Sequence, residues 1–284
     1  MIKATTSGVL RGGLRGVLST ATRFSGILDR VPGAAAACSL ELLARSFANA
    51  PVVRVRRDSD NAEQNFTAAE VSGGALVAFC GAGNGFVRRL YDQSGNTRHA
   101  TQTAALSQPL LVENGELVTE NGKAAIKFIA DPISSLNFSD PIAGIKTIFA
   151  VSKRDAASVV NYILGSSVSG SSGIGLGGSL SGVDGLFGFD GDNVRSISGE
   201  NLLTKLGYWN IREGSIYMAE NGNSETNAGA FAREDILVER IGTRRPTTTA
   251  DSLKGKVSEI ILFTSDQSAN RTKIEANIMK RYNL

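Results

Sequence analysis

The sequence has 284 residues, of which 42% are hydrophobic and 20% charged, and its formal net charge is +3. A globular chain of this length buries roughly 75% of the surface exposed when it is unfolded, and no apolar run approaches the roughly 20 residues of a membrane-spanning helix. One histidine and two cysteines exclude a disulfide scaffold and nearly exclude a structural zinc site of the usual four-ligand kind. We therefore expect a soluble globular protein with one large domain and no membrane span.

Glycine is frequent, with 32 residues, whereas there are 6 prolines and aromatic residues make up 6% of the chain. This composition is typical of a mainly β protein rich in tight turns. Cys38 and Cys80 are expected to be free buried thiols, because a core of this size needs no covalent link. A disulfide between them is the alternative.

The excess positive charge lies in residues 1–30, which carry five basic residues and one acid, whereas the rest of the chain has a net charge of −1. Glycine is too dense there for a stable helix, and arginines interrupt the apolar stretch that an export signal needs. Residues 1–30 are predicted to be an extended basic arm that docks onto a larger assembly, and a frayed terminus is the alternative. Nucleic-acid binding is disfavoured, because four arginines without interleaved aromatic residues leave a small electrostatic footprint. The side chains expected to dock are Leu10, Arg11, Leu14, Arg15 and Leu18.

The body, residues 31–284, begins with a predicted helix over residues 34–47, where Leu40, Leu43 and Phe47 share one face. A half-exposed strand follows around Val53 and Val55, and a second short helix is expected over residues 68–80. The glycines of residues 81–85 follow a helix and precede a strand, the reverse of the order in a dinucleotide site. They are predicted to form a helix C-cap and a turn.

From residue 122 onward, short apolar runs alternate with turn residues at the spacing of a β-sandwich. A C-terminal helix is predicted over residues 268–282, with Ser268 as N-cap and with Ile274, Ile278 and Tyr282 on the face that packs on the sandwich. The predicted strands cover residues 125–128, 146–152, 162–165, 174–176, 186–189, 215–219, 235–241 and 256–263.

Two resemblances cover most of residues 31–284. The ending, a Gly-Lys-Val-Ser-Glu-Ile-Ile-Leu strand followed by a short turn and a helix reading Lys-Ile-Glu-Ala-Asn-Ile-Met-Lys-Arg-Tyr, resembles a concanavalin A-like, laminin-G-like jelly roll. The string Tyr-Asp-Gln-Ser-Gly-Asn at residues 91–96, with His99 after it, resembles the catalytic domain of arabinofuranosidase B-type glycosidases. Modules of that shape in tailed-phage virion proteins are similar too. The implied fold is a mainly β jelly-roll β-sandwich with a few peripheral helices, and a jelly roll by itself implies little about function.

The resemblance to glycosidases implies two catalytic carboxylates, about 5 Å apart in a retaining enzyme. The acid/base is expected after an Ile-Gly-Gly segment late in the chain, where this sequence has Arg244. An arginine cannot protonate a leaving group at neutral pH. The nucleophile has no clear counterpart, although Asp190, Asp192 and Asn193 lie in roughly the right region. These three residues are also a candidate Ca²⁺ site, and a plain turn is favoured over it; otherwise no cofactor is expected.

Four further residues are candidates for ligand binding. Tyr208 and Trp209 are adjacent aromatic residues and the default candidates for stacking on a sugar, with a core position equally open. Asp92 and His99 flank a turn, and a structural role is favoured for both, since no Ser or Cys partner identifies His99 as a base.

The basic arm, the lack of an export signal and the missing carboxylates together predict a non-enzymatic virion structural protein of a tailed phage, such as a tail fibre, spike or capsid decoration. The arm would bind other virion proteins, and the jelly roll would be exposed on the particle, where it would either contact host-surface glycans or only reinforce the particle. A homo-oligomer is expected. Two alternatives stay open: an arabinofuranosidase-like glycoside hydrolase, and a bacterial glycan-binding adhesin, for which no export route is evident.

Overall fold

The structure is a computed structural model that describes residues 25–155, 161–167, 173–177, 185–191, 193–198 and 203–284. It is mainly β, as predicted, with antiparallel ladders and few helices. The predicted docking residues Leu10, Arg11, Leu14, Arg15 and Leu18 lie outside the described residues. Within the described part of the chain, no helix is long and apolar enough to cross a membrane.

The strands are β1 (Ala36–Ser39), β2 (Pro51–Arg57), β3 (Glu63–Thr67), β4 (Gly85–Leu90), β5 (Ala100–Thr101), β6 (Leu110–Glu113), β7 (Glu116–Leu117), β8 (Thr119–Glu120), β9 (Lys123–Ala124), β10 (Ile126–Phe128), β11 (Leu136–Ile145), β12 (Thr147–Arg154), β13 (Asn161–Gly165), β14 (Gly173–Gly177), β15 (Gly185–Phe189), β16 (Val194–Ser198), β17 (Lys205–Arg212), β18 (Ser215–Glu220), β19 (Thr226–Ala230), β20 (Ile236–Ile241) and β21 (Gly255–Phe263). The α-helices are α1 (Ile27–Arg30), α2 (Ala68–Ser72), α3 (Ala75–Cys80) and α4 (Arg271–Tyr282). Single 3₁₀ turns cover Arg45–Phe47, Ala105–Ser107, Thr249–Asp251 and Ser268–Asn270.

The ladders form two layers. In one layer, β21 pairs with β1 and β10 at one edge and with β12 at the other, and β17, β18 and β19 follow. The other layer has the order β5, β11, β20, β13, β14, β15 and β16. The strands β2, β3, β4 and β6 join the layers, because β4 pairs with β5 and β6 pairs with β10. This arrangement is a β-sandwich.

Two hydrophobic cores hold the layers and the helix together. Side chains such as Ile148, Trp209 and Ile241 fill the space between the layers. On the outer side of the β12–β17–β21 layer, Ile274, Ile278 and Tyr282 of α4 pack in the second core. Successive residues of a strand face opposite sides. Because one of the two cores lies on each side of this layer, its strands are apolar on both faces.

Most predicted elements of the second half are confirmed, each with its ends shifted by a few residues at most. The C-terminal helix is confirmed, with its three predicted apolar residues buried. A 3₁₀ turn that begins at Ser268 precedes the helix, so Ser268 is not the N-cap. Its amide donates to Asp266 Oδ1 at 2.8 Å, and Asp266 therefore supplies the side-chain acceptor that was expected of Ser268. The helix expected over residues 68–80 is two short helices, α2 and α3, separated by Gly73 and Gly74.

The predicted helix over residues 34–47 is wrong. Residues 36–39 form β1, paired with β21, and only the turn at Arg45–Phe47 is helical. Tertiary pairing overrides local helix propensity here, because the distant strand β21 supplies partners for the backbone of this fully buried segment.

The packed part of the chain already includes α1, which precedes the predicted domain start at residue 31. Ile27 and Leu28 are buried in the core that contains the α4 side chains. The Leu28 amide donates to the Leu43 carbonyl at 3.1 Å. The last residues assigned to the arm are thus part of the sandwich.

Candidate functional site

A polar cleft of about 800 Å³ is formed by β16 and the adjoining ends of β17, β18 and β19. Hydroxyl and amide side chains dominate its lining, and Leu203, which is 54% exposed, lies among them. The polar residues lining the cleft are Ser196, Ser198, Lys205, Glu220, Asn221, Asn223, Ser224, Thr226 and Asn227. Its volume lies within the roughly 300–1,000 Å³ of small-molecule sites.

A buried ion pair stiffens the polar cleft. Lys205 Nζ lies 2.8 Å from Glu220 Oε1, and both side chains are less than 10% exposed. Asn221 Oδ1 accepts the Leu206 amide at 2.8 Å, and Asn227 Oδ1 accepts the Gly229 amide at 2.9 Å. Because the oxygen of each asparagine is occupied by the backbone, its Nδ2 group is the part that can donate to a ligand.

A second cluster, the arginine–aromatic site, lies at the ends of β13, β15 and β20 and consists of Tyr162, Phe187, Phe189, Arg244 and Asp251. Tyr162 and Phe187 meet edge to face, with ring centroids 5.0 Å apart. The guanidinium carbon of Arg244 lies 4.7 Å from the centroid of the Phe189 ring and 5.0 Å from that of Tyr162. Arg244 therefore covers two aromatic rings in cation–π geometry.

Glycines make room for this arrangement. A Cβ atom at Gly165 would lie 2.8 Å from Arg244 Cα, and one at Gly173 would lie 2.9 Å from Tyr162 Cδ1. Burial raises the pKa of the Tyr162 hydroxyl to about 12. That hydroxyl is thus no proton acceptor near neutral pH.

Arg244 forms an ion pair with Asp251, which is 6% exposed. Its Oδ2 atom lies 3.0 Å from Arg244 Nη2 and also accepts from Arg245 Nε. The carboxylate beside Arg244, the residue that the glycosidase resemblance aligns with the acid/base, is thus engaged by two cations. Glu239, the next acid along β20, pairs with Arg240 at 3.0 Å.

Asp190 and Asn193, two of the three predicted Ca²⁺ residues, belong to a tight turn after β15. Asp190 Oδ1 accepts the Asn193 amide at 2.7 Å and Asp190 Oδ2 accepts the Ala232 amide at 3.0 Å. This bonding agrees with the turn that was favoured. Asp192 lies outside the described residues. Within the described ranges, no group of three His, Cys, Asp or Glu side chains could hold a metal ion, and calcium binding stays a prediction.

Asp92 and His99 have structural partners, as favoured from the sequence. Asp92 is 1% exposed and bonds to the backbone of Ala37, Ser94 and Arg98. His99 Nδ1 accepts the Asp92 amide at 3.1 Å. Burial, together with the positive charge of Arg89, lowers the pKa of His99.

Of the two roles left open for Tyr208 and Trp209, the structure shows the core position and not stacking on a sugar, because both side chains are completely buried. They point to opposite sides of β17: Trp209 lies between the layers and Tyr208 lies under α4. Trp209 Nε1 donates to the Phe187 carbonyl at 3.0 Å. Sequence reasoning missed the polar cleft, whose one signal was the run of small polar residues at 221–227.

No protein-family model matches the sequence, and no curated protein matches it. Three solved structures share the fold over 86% of this chain and 62% of their own. One is a GH54 α-L-arabinofuranosidase soaked with a cyclic sulfate inhibitor, with a TM-score of 0.61 and 16% identity. Another is an arabinofuranosidase complexed with arabinofuranosyl-α-1,2-xylobiose, with a TM-score of 0.60 and 17% identity. The third, at 0.58 and 16%, is a GH54 variant soaked with 4-nitrophenyl α-L-arabinofuranoside.

These likenesses confirm the sandwich fold and correct the functional prediction. The three solved structures named above are arabinofuranosidases and not phage structural proteins. The prediction of a virion structural protein is therefore corrected and is not retained. The predicted oligomer stays a prediction.

Proposed function

We propose that this protein acts on glycans as an arabinofuranosidase-like protein and that it binds saccharide in the polar cleft. The observation that carries the proposal is the polar cleft itself, a concave surface of about 800 Å³ lined by hydroxyl and amide groups. Such groups match the donors and acceptors of sugar hydroxyls. The apolar side chains beside them, Ile197, Ala219 and Leu203, offer surface to the C–H face of a sugar ring.

Hydrolysis is the second part of the proposal, and the similarity to solved arabinofuranosidases supports it. Glycoside hydrolysis uses two carboxyl groups. Asp251, the carboxylate paired with Arg244, and Asp192, the nucleophile that the sequence suggested, are the two acids to test for a part in hydrolysis. Cleavage of a substrate whose leaving group is a weak base, such as 4-nitrophenolate, depends least on protonation of that group by an acid.

Two measurements test the proposal. Titration calorimetry with arabinofuranosyl-α-1,2-xylobiose measures binding, and release of 4-nitrophenol from 4-nitrophenyl α-L-arabinofuranoside measures hydrolysis. Asn227→Ala should weaken binding at least tenfold, whereas Asn65→Ala, an equally exposed asparagine on β3, should leave it unchanged. Asp192→Asn or Asp251→Asn should abolish turnover and retain binding.

Wild-type protein that neither binds the trisaccharide nor releases 4-nitrophenol would overturn the proposal. Binding that Asn227→Ala leaves intact would overturn the assignment to the polar cleft. Binding without turnover would support glycan recognition and remove the hydrolytic part.

A further inference from the structure

A β-bulge gathers arginines on the outer face of β2 and β4. Val53 pairs with Leu90 and Val55 pairs with Val87, so two residues of β4, Arg88 and Arg89, face the space beside Arg54. Valine and leucine on both strands are buried, whereas the arginines are partly exposed. A bulge is a common way to redirect a side chain, and here it places two arginines on the same face.

This surface, the arginine face, consists of Arg54, Arg56, Arg88 and Arg89 together with Glu63. Arg54 Nε lies 2.7 Å from Glu63 Oε2, and Arg88 Nε lies 3.4 Å from Glu63 Oε1. Two of the four guanidinium groups thus share one carboxylate, and Arg56 donates to the uncharged side chains of Gln108 and Asn61. The resulting positive charge lies on partly exposed side chains, where it can attract an anion.

A cleft of about 200 Å³ lies between Arg54, Glu63, Arg88 and Arg89. It is smaller than the roughly 300–1,000 Å³ of sites that enclose a whole small molecule, and it suits a single charged group. Arginine forks bind sulfate and phosphate through paired N–H donors. The cleft therefore fits an oxyanion carried by a larger molecule that lies along the face.

The aromatic rings of this face are already covered. The Arg56 guanidinium lies 4.8 Å from the centroid of the Phe86 ring, and that of Arg89 lies 5.8 Å from the centroid of Tyr91. Nucleic-acid surfaces without sequence preference rely on open aromatic rings for base stacking. An anionic glycan needs no such rings.

We infer that the arginine face binds a sulfate or phosphate group of an acidic glycan. The oxyanion would occupy the cleft between Arg54 and Arg89, and Arg88 would complete its coordination. The inference is independent of saccharide binding in the polar cleft, which lies on β16–β19.

Heparin, a sulfated glycan, is the probe. The Kd of the full chain for heparin should rise at least tenfold in the double variant Arg54→Gln/Arg89→Gln. The control Arg30→Gln/Arg45→Gln removes the same charge from exposed positions near α1 and should change the Kd less than twofold. Residues 1–24 are identical in both variants, so their charge does not affect the comparison.

Inorganic sulfate and inorganic phosphate are added as competitors. At the same ionic strength, each should displace more heparin from the wild type than chloride does. The inference fails if the Arg54→Gln/Arg89→Gln variant keeps wild-type affinity, or if the control loses as much. It also fails if single-stranded DNA of equal charge binds this face as tightly as heparin. Circular dichroism of each variant checks that it is folded.

Discussion

The carboxylate of Asp92 accepts the backbone amide of Ala37 at 2.8 Å, across 55 residues of sequence. The same side chain accepts the amides of Ser94 and Arg98 and the Ser94 hydroxyl. Gln93 extends this connection, because its Oε1 atom accepts the Leu43 amide at 2.8 Å. The motif that resembles arabinofuranosidases thus fastens β1 and the segment after it to the turn that follows β4.

Replacing Asp92 should destabilise the protein without touching either candidate site. Asp92→Asn keeps the size of the side chain but turns one acceptor into a donor, so buried amides lose their partner. An unsatisfied buried polar group costs about 1–3 kcal/mol. The free energy of unfolding of the variant should therefore be lower than that of the wild type by at least the smaller of these values. Urea unfolding measures the change.

Asp140→Asn is the matched control, because Asp140 is an exposed aspartate of β11. Exposed substitutions usually change stability by less than about 0.5 kcal/mol. Equal stability of the Asp92→Asn variant and the wild type would show that the turn holds β1 without this carboxylate.

The elements that could be predicted are those whose structure follows from the pattern of apolar residues in the local sequence. The strand Gly255–Phe263 and the helix Arg271–Tyr282 could be predicted because the spacing of their apolar residues along the local sequence indicates both the type of element and its buried face. Residues 34–47 were predicted as a helix because the apolar spacing fits one, but their backbone partners lie in β21 and in the side chains of residues 92–96. Such partners are distant in sequence.

The candidate sites were less accessible to sequence reasoning. Arg244 was predicted to stand in place of a carboxylate, but its stacking on Tyr162 and Phe189 depends on three strands and on two glycines that leave space. Tyr208 and Trp209 attracted attention as aromatic neighbours, yet alternation along a strand between two cores buries both. Whether a side chain is exposed depends on the tertiary structure, which the local sequence does not show.

The two cysteines should be unreactive in the folded protein. Both are buried and free, as predicted. Burial raises the pKa of Cys38 well above its usual value and that of Cys80 to about 11, and the thiolate is the reactive form. Ellman's reagent at pH 8 should titrate no thiol in native protein and two in guanidinium chloride. Rapid reaction of a thiol under native conditions would contradict the buried placement.

Glu259 should make stability depend on pH in an unusual direction for an acid. It is 1% exposed, and burial raises its pKa although Arg281 lies 2.9 Å away. The folded state therefore holds this proton more tightly than the unfolded state, so its contribution to stability is full below the unfolded pKa of about 4.3. That contribution is lost as pH rises through the folded pKa.

Glu259→Gln cannot titrate and isolates this effect. The free energy of unfolding of the wild type minus that of the variant should fall as pH rises from about 4. Denaturant titrations at several pH values measure the difference. A difference that grows with pH would show that the Arg281 pairing outweighs burial, and a constant difference would show that the two effects cancel.

Removing Arg281 should be costly, because it leaves Glu259 buried without its cation. Breaking a buried pair by removal of one partner costs about 3–5 kcal/mol, and Arg281→Met should lose stability on that scale at neutral pH. Lys280→Met on the same helix removes an equal charge from an exposed position. If both variants unfold at the same urea concentration, the ion pair between α4 and β21 contributes nothing to stability.

Trp209 is the single tryptophan of the chain, and its placement can be read by fluorescence. The indole is completely buried between the layers, with Nε1 bonded to the Phe187 carbonyl. Acrylamide should therefore quench native emission weakly and urea-unfolded emission strongly. Trp209→Phe should cost about 1–3 kcal/mol, because the Phe187 carbonyl loses its donor and the smaller ring leaves a gap. Strong quenching of native emission by acrylamide would restore Trp209 as a surface residue able to stack on sugar.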